Sequence, residues 1–305
     1  MRLPERVVIR EVGPRDGFQM EKDFIPTSDK VEIIDMLSDC GFREMQATGF
    51  VHPKAIPNLA DSEEVLARIR KNPETLYTAL VPNQKGYERA AAAGMRKVEF
   101  TLSATDSHNL NNMKATTEQS LERLGDCLKL GLPVPIVAGF AVAFHCPFEG
   151  RTPFARLKSV VDRAVAMGVD EIGLGDTCGA ADPRQVYDYV SRLLDRHPNL
   201  KILLHFHNTF GNAVANVLAA MQAGVVMFDA AAAGLGGCPY APGATGNLAT
   251  EDLVQTLEAM GIQTGIDLPR LLAASRRIAE IVGHSDSATL RAGRLMTDAS
   301  APQCR

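Results

Sequence analysis

The chain has 305 residues, 46% of them hydrophobic, and a formal net charge of −4 from 32 basic and 36 acidic side chains. This balance offers no basic surface of the kind that binds nucleic acid. No stretch approaches the roughly 18 consecutive apolar residues of a membrane span. The first residues, MRLPERVVIR, lack a secretory or transit pattern. We therefore expect a cytoplasmic protein without nucleic-acid or membrane partners.

Eight β-rich runs alternate with helical patterns, which indicates a parallel barrel rather than an open doubly wound sheet. The predicted strands cover residues 7–12, 43–50, 75–83, 97–106, 134–144, 171–176, 201–208 and 225–234. The polar stretch SHNLNNMKA, at 107–115, is longer than a usual connection between strand and helix. We expect it to be a loop that could cover a site.

The predicted fold class is α/β: a single (β/α)8 TIM barrel with an extra C-terminal helix, forming one domain over 1–305. Its core spans about 5–265, and 266–305 hold the extra helix and a tail without periodicity. The extra helix, LPRLLAASRRIAEIVG, is more apolar than a barrel requires. It is expected to pack on the barrel or to pair subunits, so we predict a homo-oligomer, most simply a dimer.

Two histidines, His205 and His207, stand two residues apart in the seventh strand, so their side chains point to the same face. Alone, this spacing is typical of hydrogen-bonded core histidines. Here a glycine-rich loop follows the eighth strand and leads to Asn247. Such loops bring backbone close to ligands. The combination favours a metal site, because two neutral imidazoles converge on one point.

Polar residues that act in such barrels stand where strands end and loops begin. Those positions in this chain hold Arg15, Asp16, Gln46, Thr48, Asn83, Asp106, Asp176, Thr177, His205, His207 and Asn247. The glycine-rich loop is not a dinucleotide fingerprint, because Pro239 stands where the third glycine is required. No lysine of a triphosphate-binding loop follows Gly243 either. Nicotinamide and nucleoside triphosphate cofactors are therefore not expected.

Six motifs together carry a family resemblance. They are GPRDGFQ at 13–19, FVHPKAIPN at 50–58, HCPFEGRTP at 145–153, LGDTCG at 174–179, HFHNTFGNA at 205–213 and GLGGCPYAPGATGNLATED at 234–252. With these motifs the chain resembles the 3-hydroxy-3-methylglutaryl-CoA lyases, which are metal-dependent carbon–carbon lyase barrels. The last motif is specific to the lyases, whereas the His-x-His and arginine-aspartate pieces are shared with isopropylmalate and homocitrate synthases and some aldolases.

The resemblance implies cleavage of 3-hydroxy-3-methylglutaryl-CoA, or of a close 3-hydroxyacyl-CoA relative, by a retro-Claisen mechanism. The products would be acetyl-CoA and acetoacetate, or the corresponding keto compound. The resemblance also implies a divalent ion, Mg²⁺ or Mn²⁺, held by Asp16, His205, His207 and Asn247. Zinc is not excluded by these ligand types.

The resemblance assigns roles to further residues. Arg15 would neutralise the oxyanion that forms on the thioester carbonyl. Cys238, in the glycine-rich loop, would relay or deliver a proton. His205 or Asp176 would take the proton of the substrate hydroxyl. Alternatively, Asp176 would orient one of the metal ligands without binding the metal itself.

One position departs from the family pattern. Gln46 stands where the lyases carry a catalytic glutamate, and an amide cannot accept a proton as a carboxylate does. Glu44 lies on the same face of the same strand, one layer deeper. Three interpretations stay open: Glu44 substitutes, the substrate differs, or activity on the usual substrate is low.

Two other functions compete with the lyase. A condensing synthase of the same superfamily would join acetyl-CoA to a 2-oxo acid. A catalytically impaired barrel would only bind acyl-CoA, which Gln46 favours but the complete set of metal ligands does not.

Overall fold

The structure is a computed structural model that describes residues 3–237 and 246–297. Its main sheet is a closed barrel of eight parallel strands, each paired with its neighbours in the chain. The strands are β1 Val8–Glu11, β2 Glu44–Gly49, β3 Leu76–Val81, β4 Val98–Ser103, β5 Ile136–Ala141, β6 Glu171–Asp176, β7 Lys201–Phe206 and β8 Met227–Ala230. The predicted (β/α)8 barrel is confirmed.

Helices surround this barrel because the strands are too apolar to face water. Every residue of β2 is buried, as expected for a parallel strand covered on both faces. The helices are α1 Thr27–Ser38, α2 Ser62–Arg68, α3 Gln84–Ala92, α4 Asp106–Met113, α5 Thr117–Lys129, α6 Phe154–Ala166, α7 Pro183–Arg196, α8 Ala213–Gln222, α9 Thr250–Ala259, α10 Leu268–Val282 and α11 Ala288–Thr297. None of the helices in the described part of the chain could cross a membrane.

The polar stretch at 107–115 was predicted to be a loop, and this is wrong. Most of it forms α4, which ends at Lys114 in a left-handed conformation, with φ of 53°. The side chain of Asn109 explains the order, because it is buried and hydrogen-bonds the backbone of Ser103, Ala115 and Thr116. His108 and Asn109 are polar residues of this stretch that are buried and hydrogen-bonded, which a polarity pattern cannot distinguish from a solvated loop.

The C-terminal region contains the predicted extra helix as α10, and also α11, which was not predicted because residues 284–305 show no helical periodicity. Asp252 on α9 holds the start of α11, because its carboxylate accepts the backbone N–H groups of Ala288 and Thr289 at 2.9 and 2.7 Å. The apolar side of α10 packs against α1 within the same chain, and Leu271 and Ile278 are fully buried. That apolar side is thus used inside the subunit, and the dimer stays a prediction.

The barrel interior contains a buried ion network, formed by Arg10, Glu44, Lys97, Glu171 and Asp229. The ammonium of Lys97 bridges Glu44 and Glu171 at 3.1 and 2.6 Å, deep on the side of the barrel where strands begin. The guanidinium of Arg10 donates two hydrogen bonds to Asp229. Buried charges of this kind are tolerated only when each is paired and hydrogen-bonded.

We expect Lys97→Met to destabilise the fold severely, because it leaves two buried carboxylates without a cation. Loss of one partner of a buried ion pair typically lowers the free energy of unfolding by about 3–5 kcal/mol. Denaturant unfolding followed by circular dichroism measures this change. Lys129→Met is the control, because its pair with Asp126 is exposed and should contribute nothing measurable. Equal stability of the two variants would contradict a stabilising role for the network.

Candidate active site

A cavity of 390 Å³ opens where the barrel strands end. Charged and imidazole side chains from four different units reach it, as expected when the carboxyl ends of parallel strands share one mouth. The described residues of this kind that line the cavity are Arg15, Asp16, Glu99, His108, His205, His207 and Asp229. Gly139, Gly173 and Gly175 form part of the wall, on β5 and β6.

The turn after β1 presents Arg15 and Asp16 to this cavity. Residues Gly13–Gly17 form one buried helical turn. The carboxylate of Glu11, at the end of β1, anchors it by accepting the backbone N–H groups of Gly13 at 2.7 Å and Ala232 at 2.9 Å. Burial raises the pKa of Glu11 to about 7. Glu11 therefore ties the β1 turn to the end of β8, which fixes the distance between the two sides of the mouth.

The two histidines of the seventh unit point to the same side, as the alternation along β7 predicted. Their Nε2 atoms lie 3.2 Å apart. Asp16 lies opposite, with Oδ2 at 3.7 Å from Nε2 of His205. One nitrogen from each imidazole and one oxygen of Asp16 all lie within 4.8 Å of one another. Asn247 completes the group, because its Nδ2 donates to Asp16 at 2.7 Å.

This cluster fits a divalent cation. The Oδ1 atom of Asn247 is buried and has no hydrogen-bond partner among the described residues. A buried amide oxygen without a donor is costly unless a ligand binds it. One carboxylate, two imidazoles and one amide oxygen form a mixed oxygen and nitrogen set that suits Mg²⁺ or Mn²⁺ and does not exclude Zn²⁺.

The charges in the cluster also suit ligand chemistry. Burial disfavours the charged form of Asp16, but Arg15 and the two imidazoles outweigh it and lower its pKa to about 2. Burial, together with the neighbouring His205, lowers the pKa of His207 to about 4, so its imidazole is neutral at pH 7. For His205, burial is outweighed by its hydrogen bond to Asp229 and by Asp16, which raise its pKa. A cation that binds there must displace a proton.

Arg15 is held on two sides. One guanidinium N–H donates to Oδ1 of Asp16 and another, Nε, donates to Oε1 of Gln46. Gln46 is fully buried and donates in turn, from Nε2, to Oε2 of Glu99 at 3.0 Å. Gln46 therefore lies behind the cavity, and the side chain that reaches the cavity beside it is Glu99.

Among the other described residues predicted for the site, Thr177 lines the cavity, whereas Asp176 and Glu44 do not. Asp176 is fully buried and accepts the backbone N–H groups of Ala180 and Ala181 at 3.1 and 3.2 Å. Burial raises its pKa to about 7. Glu44 lies deeper, against Lys97. Cys238 falls outside the described residues. The catalytic roles of Asp176 and Cys238 stay predictions.

The prediction from sequence missed three charged residues that shape the site: Arg10, Glu99 and Asp229. Nδ1 of His205 lies 3.0 Å from Oδ2 of Asp229, which orients the ring. The missed signal was a charged residue inside an otherwise apolar strand, as in VIRE, VEFTLS and MFDA. Such a charge needs a partner or a function.

Three comparisons with known proteins bear on this site. The family model described as HMGL-like matches residues 6–278 of the chain. The hydroxymethylglutaryl-CoA lyase of Bacillus subtilis is 43% identical over 287 residues, which cover 93% of this chain and 95% of that protein. The mitochondrial hydroxymethylglutaryl-CoA lyase of Homo sapiens is 43% identical over 287 residues, which cover 93% of this chain and 88% of that protein.

A solved structure gives the same result for the fold. The HMG-CoA lyase of Acinetobacter baumannii, in complex with coenzyme A and 3-methylmalate, is similar with a TM-score of 0.91 and 41% sequence identity. The match covers 99% of this chain and 98% of that chain. The resemblance inferred from the motifs is thereby confirmed. The chain belongs to the HMGL-like family, that of the hydroxymethylglutaryl-CoA lyases.

Proposed function

We propose that this protein is a divalent-metal-dependent carbon–carbon lyase that cleaves 3-hydroxy-3-methylglutaryl-CoA to acetyl-CoA and acetoacetate. The observation that carries the proposal is the convergence of Asp16, His205, His207 and Asn247 beside Arg15 at the mouth of a barrel of this family. The 41–43% identity to hydroxymethylglutaryl-CoA lyases supports the reaction type. A close 3-hydroxyacyl-CoA relative, giving the corresponding keto product, remains the alternative substrate.

The ligand set in this proposal is Asp16, His205, His207 and Asn247. When bound, a divalent ion there acidifies the substrate hydroxyl and orients its oxygens. Asp229 keeps Nδ1 of His205 engaged, which leaves Nε2 directed toward Asp16. Gln19 adds a donor to Oδ1 of Asp16 at 2.7 Å, so that the carboxylate is fixed from both of its oxygens.

Arg15 supplies positive charge for the thioester oxygen. Its guanidinium lines the cavity and is held by Asp16 and Gln46, so little reorganisation is needed when a negative charge develops on that oxygen. Cys238 is proposed to protonate the enolate carbon that remains after cleavage. Asp176 is proposed to shape the turn after β6 through its bonds to Ala180 and Ala181, rather than to transfer protons.

Coenzyme A thioesters are the proposed substrate class. The Acinetobacter baumannii relative was solved with coenzyme A and 3-methylmalate, and the two chains match over nearly their whole lengths. We further propose one domain over residues 1–305, a homodimer, and a cytoplasmic location. The free cysteines Cys40, Cys127 and Cys146 support a reducing compartment.

The purified protein with Mg²⁺ or Mn²⁺ is expected to release acetyl-CoA and acetoacetate from 3-hydroxy-3-methylglutaryl-CoA, because the mouth carries both the ligand set and Arg15. A coupled assay for acetoacetate measures this reaction. Consumption of acetyl-CoA with release of free CoA, seen only when a 2-oxo acid is added, would identify the condensing synthase instead. If neither reaction occurs across a panel of 3-hydroxyacyl-CoA thioesters and 2-oxo acids, the result would favour a catalytically impaired barrel that only binds acyl-CoA.

His207→Ala is expected to lose both metal and turnover, because it removes one of two facing imidazoles. Metal content after dialysis, measured by mass spectrometry, should fall from about one ion per chain to near zero. The control is His197→Ala, at the end of α7, because this imidazole contacts Asp162 and does not line the cavity. Retention of the ion by the His207 variant would contradict the proposed ligand set, whatever its activity.

A further inference from the structure

Two carboxylates that line the cavity are outside the proposed ligand set, those of Asp229 and Glu99. Asp229 orients His205, whereas Glu99, on β4, has no assigned role. Its Oε2 atom accepts hydrogen bonds from Gln46 at 3.0 Å and from Arg10 at 2.6 Å. Within the described part of the chain no hydrogen bond reaches Oε1, and 13% of the side chain remains exposed. Oε1 is therefore available to a molecule bound in the cavity.

Two neighbouring strands leave room for this carboxylate. Gly139 on β5 and Gly173 on β6 are partners across the sheet. A Cβ atom added at Gly139 would overlap Oε1 of Glu99, and one at Gly173 would lie 3.6 Å from it. Neither glycine has a positive φ, so the backbone does not require glycine at these positions. Glycine at these two positions leaves free space beside the carboxylate of Glu99, and any larger residue would fill it.

Glu99 is one of four carboxylates that lie beside the two buried cations, and it accepts a hydrogen bond from Arg10 at 2.6 Å. In the buried ion network, Arg10 and Lys97 already face three carboxylates, those of Asp229, Glu44 and Glu171. Glu99 is thus a fourth carboxylate beside two cations. A purely structural counter-ion would be redundant here, and burying a surplus carboxylate is unfavourable. This surplus points to a function at the cavity.

The side-chain amide of Gln46 is oriented so that it donates a hydrogen bond to Glu99. Arg15 has only donors, so the oxygen of the Gln46 amide must face Arg15. The NH₂ group must then face the other way, and it donates to Glu99. Gln46 therefore works as a bridge that holds a carboxylate on the neighbouring side of the mouth, although it cannot take a proton itself.

We propose that Glu99 is the catalytic base that accepts the proton of the substrate hydroxyl, and that Gln46 is a positioning residue for it. This inference rests on the proposed lyase function. The family resemblance places a catalytic carboxylate at position 46, on β2. In this chain Glu99, on β4, supplies that carboxylate instead. Glu44, the other candidate, is excluded from this role by its place one layer deeper, between Arg10 and Lys97.

Cleavage in the proposed lyase reaction moves one proton to Glu99 and breaks one carbon–carbon bond. The proton of the 3-hydroxyl passes to Oε1 of Glu99, and the electron pair of the O–H bond becomes the second bond of the new keto carbonyl. The C2–C3 bond breaks, and its electron pair becomes the enolate of acetyl-CoA, whose oxygen faces Arg15. The enolate carbon takes its proton from Cys238 and becomes a methyl group. The proton gained by Glu99 passes to solvent and Cys238 regains one from solvent, so no net proton is gained or lost.

The decisive variants exchange the carboxylate between the two positions. Glu99→Gln should lower kcat by at least about 100-fold, the usual loss when a general base is removed, with KM changed by less than about threefold. Metal content should stay at the wild-type value. The double variant Gln46→Glu with Glu99→Gln should recover at least about tenfold in kcat over Glu99→Gln alone, because it returns a carboxylate to the same hydrogen-bonded pair.

Two comparison variants separate a catalytic role of Glu99 from a structural one. Glu171→Gln is the matched control, because it changes a carboxylate of the ion network that does not reach the cavity. A loss of turnover in Glu44→Gln with none in Glu99→Gln would assign the base to Glu44 and overturn the inference.

Gly139→Ala provides an independent test, because it removes no carboxylate from the protein. The added methyl group should displace Oε1 and lower kcat by about tenfold in the wild-type background, but have no further effect in the Glu99→Gln background. Equal losses in both backgrounds would overturn the inference. If the wild-type protein cleaves 3-hydroxyacyl-CoA thioesters and Glu99→Gln is as active, Glu99 is not the base and the lyase function stands. If the wild type cleaves none, the proposed function itself fails.

Discussion

The carboxylate of Asp229 links the buried ions of the barrel to the mouth. It accepts two hydrogen bonds from Arg10, at 2.7 and 2.8 Å, and lies 3.0 Å from Nδ1 of His205. Burial favours its neutral form, but Arg10 and His205 outweigh burial and keep the pKa of Asp229 well below its usual range. Because this carboxylate stays ionised, it fixes the ring of His205, and with it the position of a nitrogen that faces Asp16.

The guanidinium of Arg10 donates hydrogen bonds to both Asp229 and Glu99, so one side chain positions groups on two sides of the mouth. Arg10 lies on β1, Asp229 on β8 and Glu99 on β4. A shift of Arg10 would move an imidazole and a carboxylate together. Catalytic groups held to a fraction of an ångström need this kind of second layer, since loops alone would leave them mobile.

The sequence was sufficient for most of the fold and for four members of the candidate site. Strand and helix periodicity gave the eight units, and in a parallel barrel all strand ends share one face. The joint position of Asp16, His205 and His207 then followed without coordinates. The sequence was insufficient for α4 and α11, because their order depends on polar contacts, such as those of Asn109 and Asp252, with parts of the chain that periodicity does not reveal.

By itself the sequence determined that His205 and His207 face one way, because neighbours on a strand alternate by geometry alone. It also showed that position 46 carries an amide. Only the tertiary structure decided which carboxylate reaches the cavity beside that amide. Glu99 does so because Gly139 and Gly173, 40 and 74 residues further along the chain, leave space for it across the barrel. Contacts between strands this distant depend on how the barrel closes, and no local pattern encodes them.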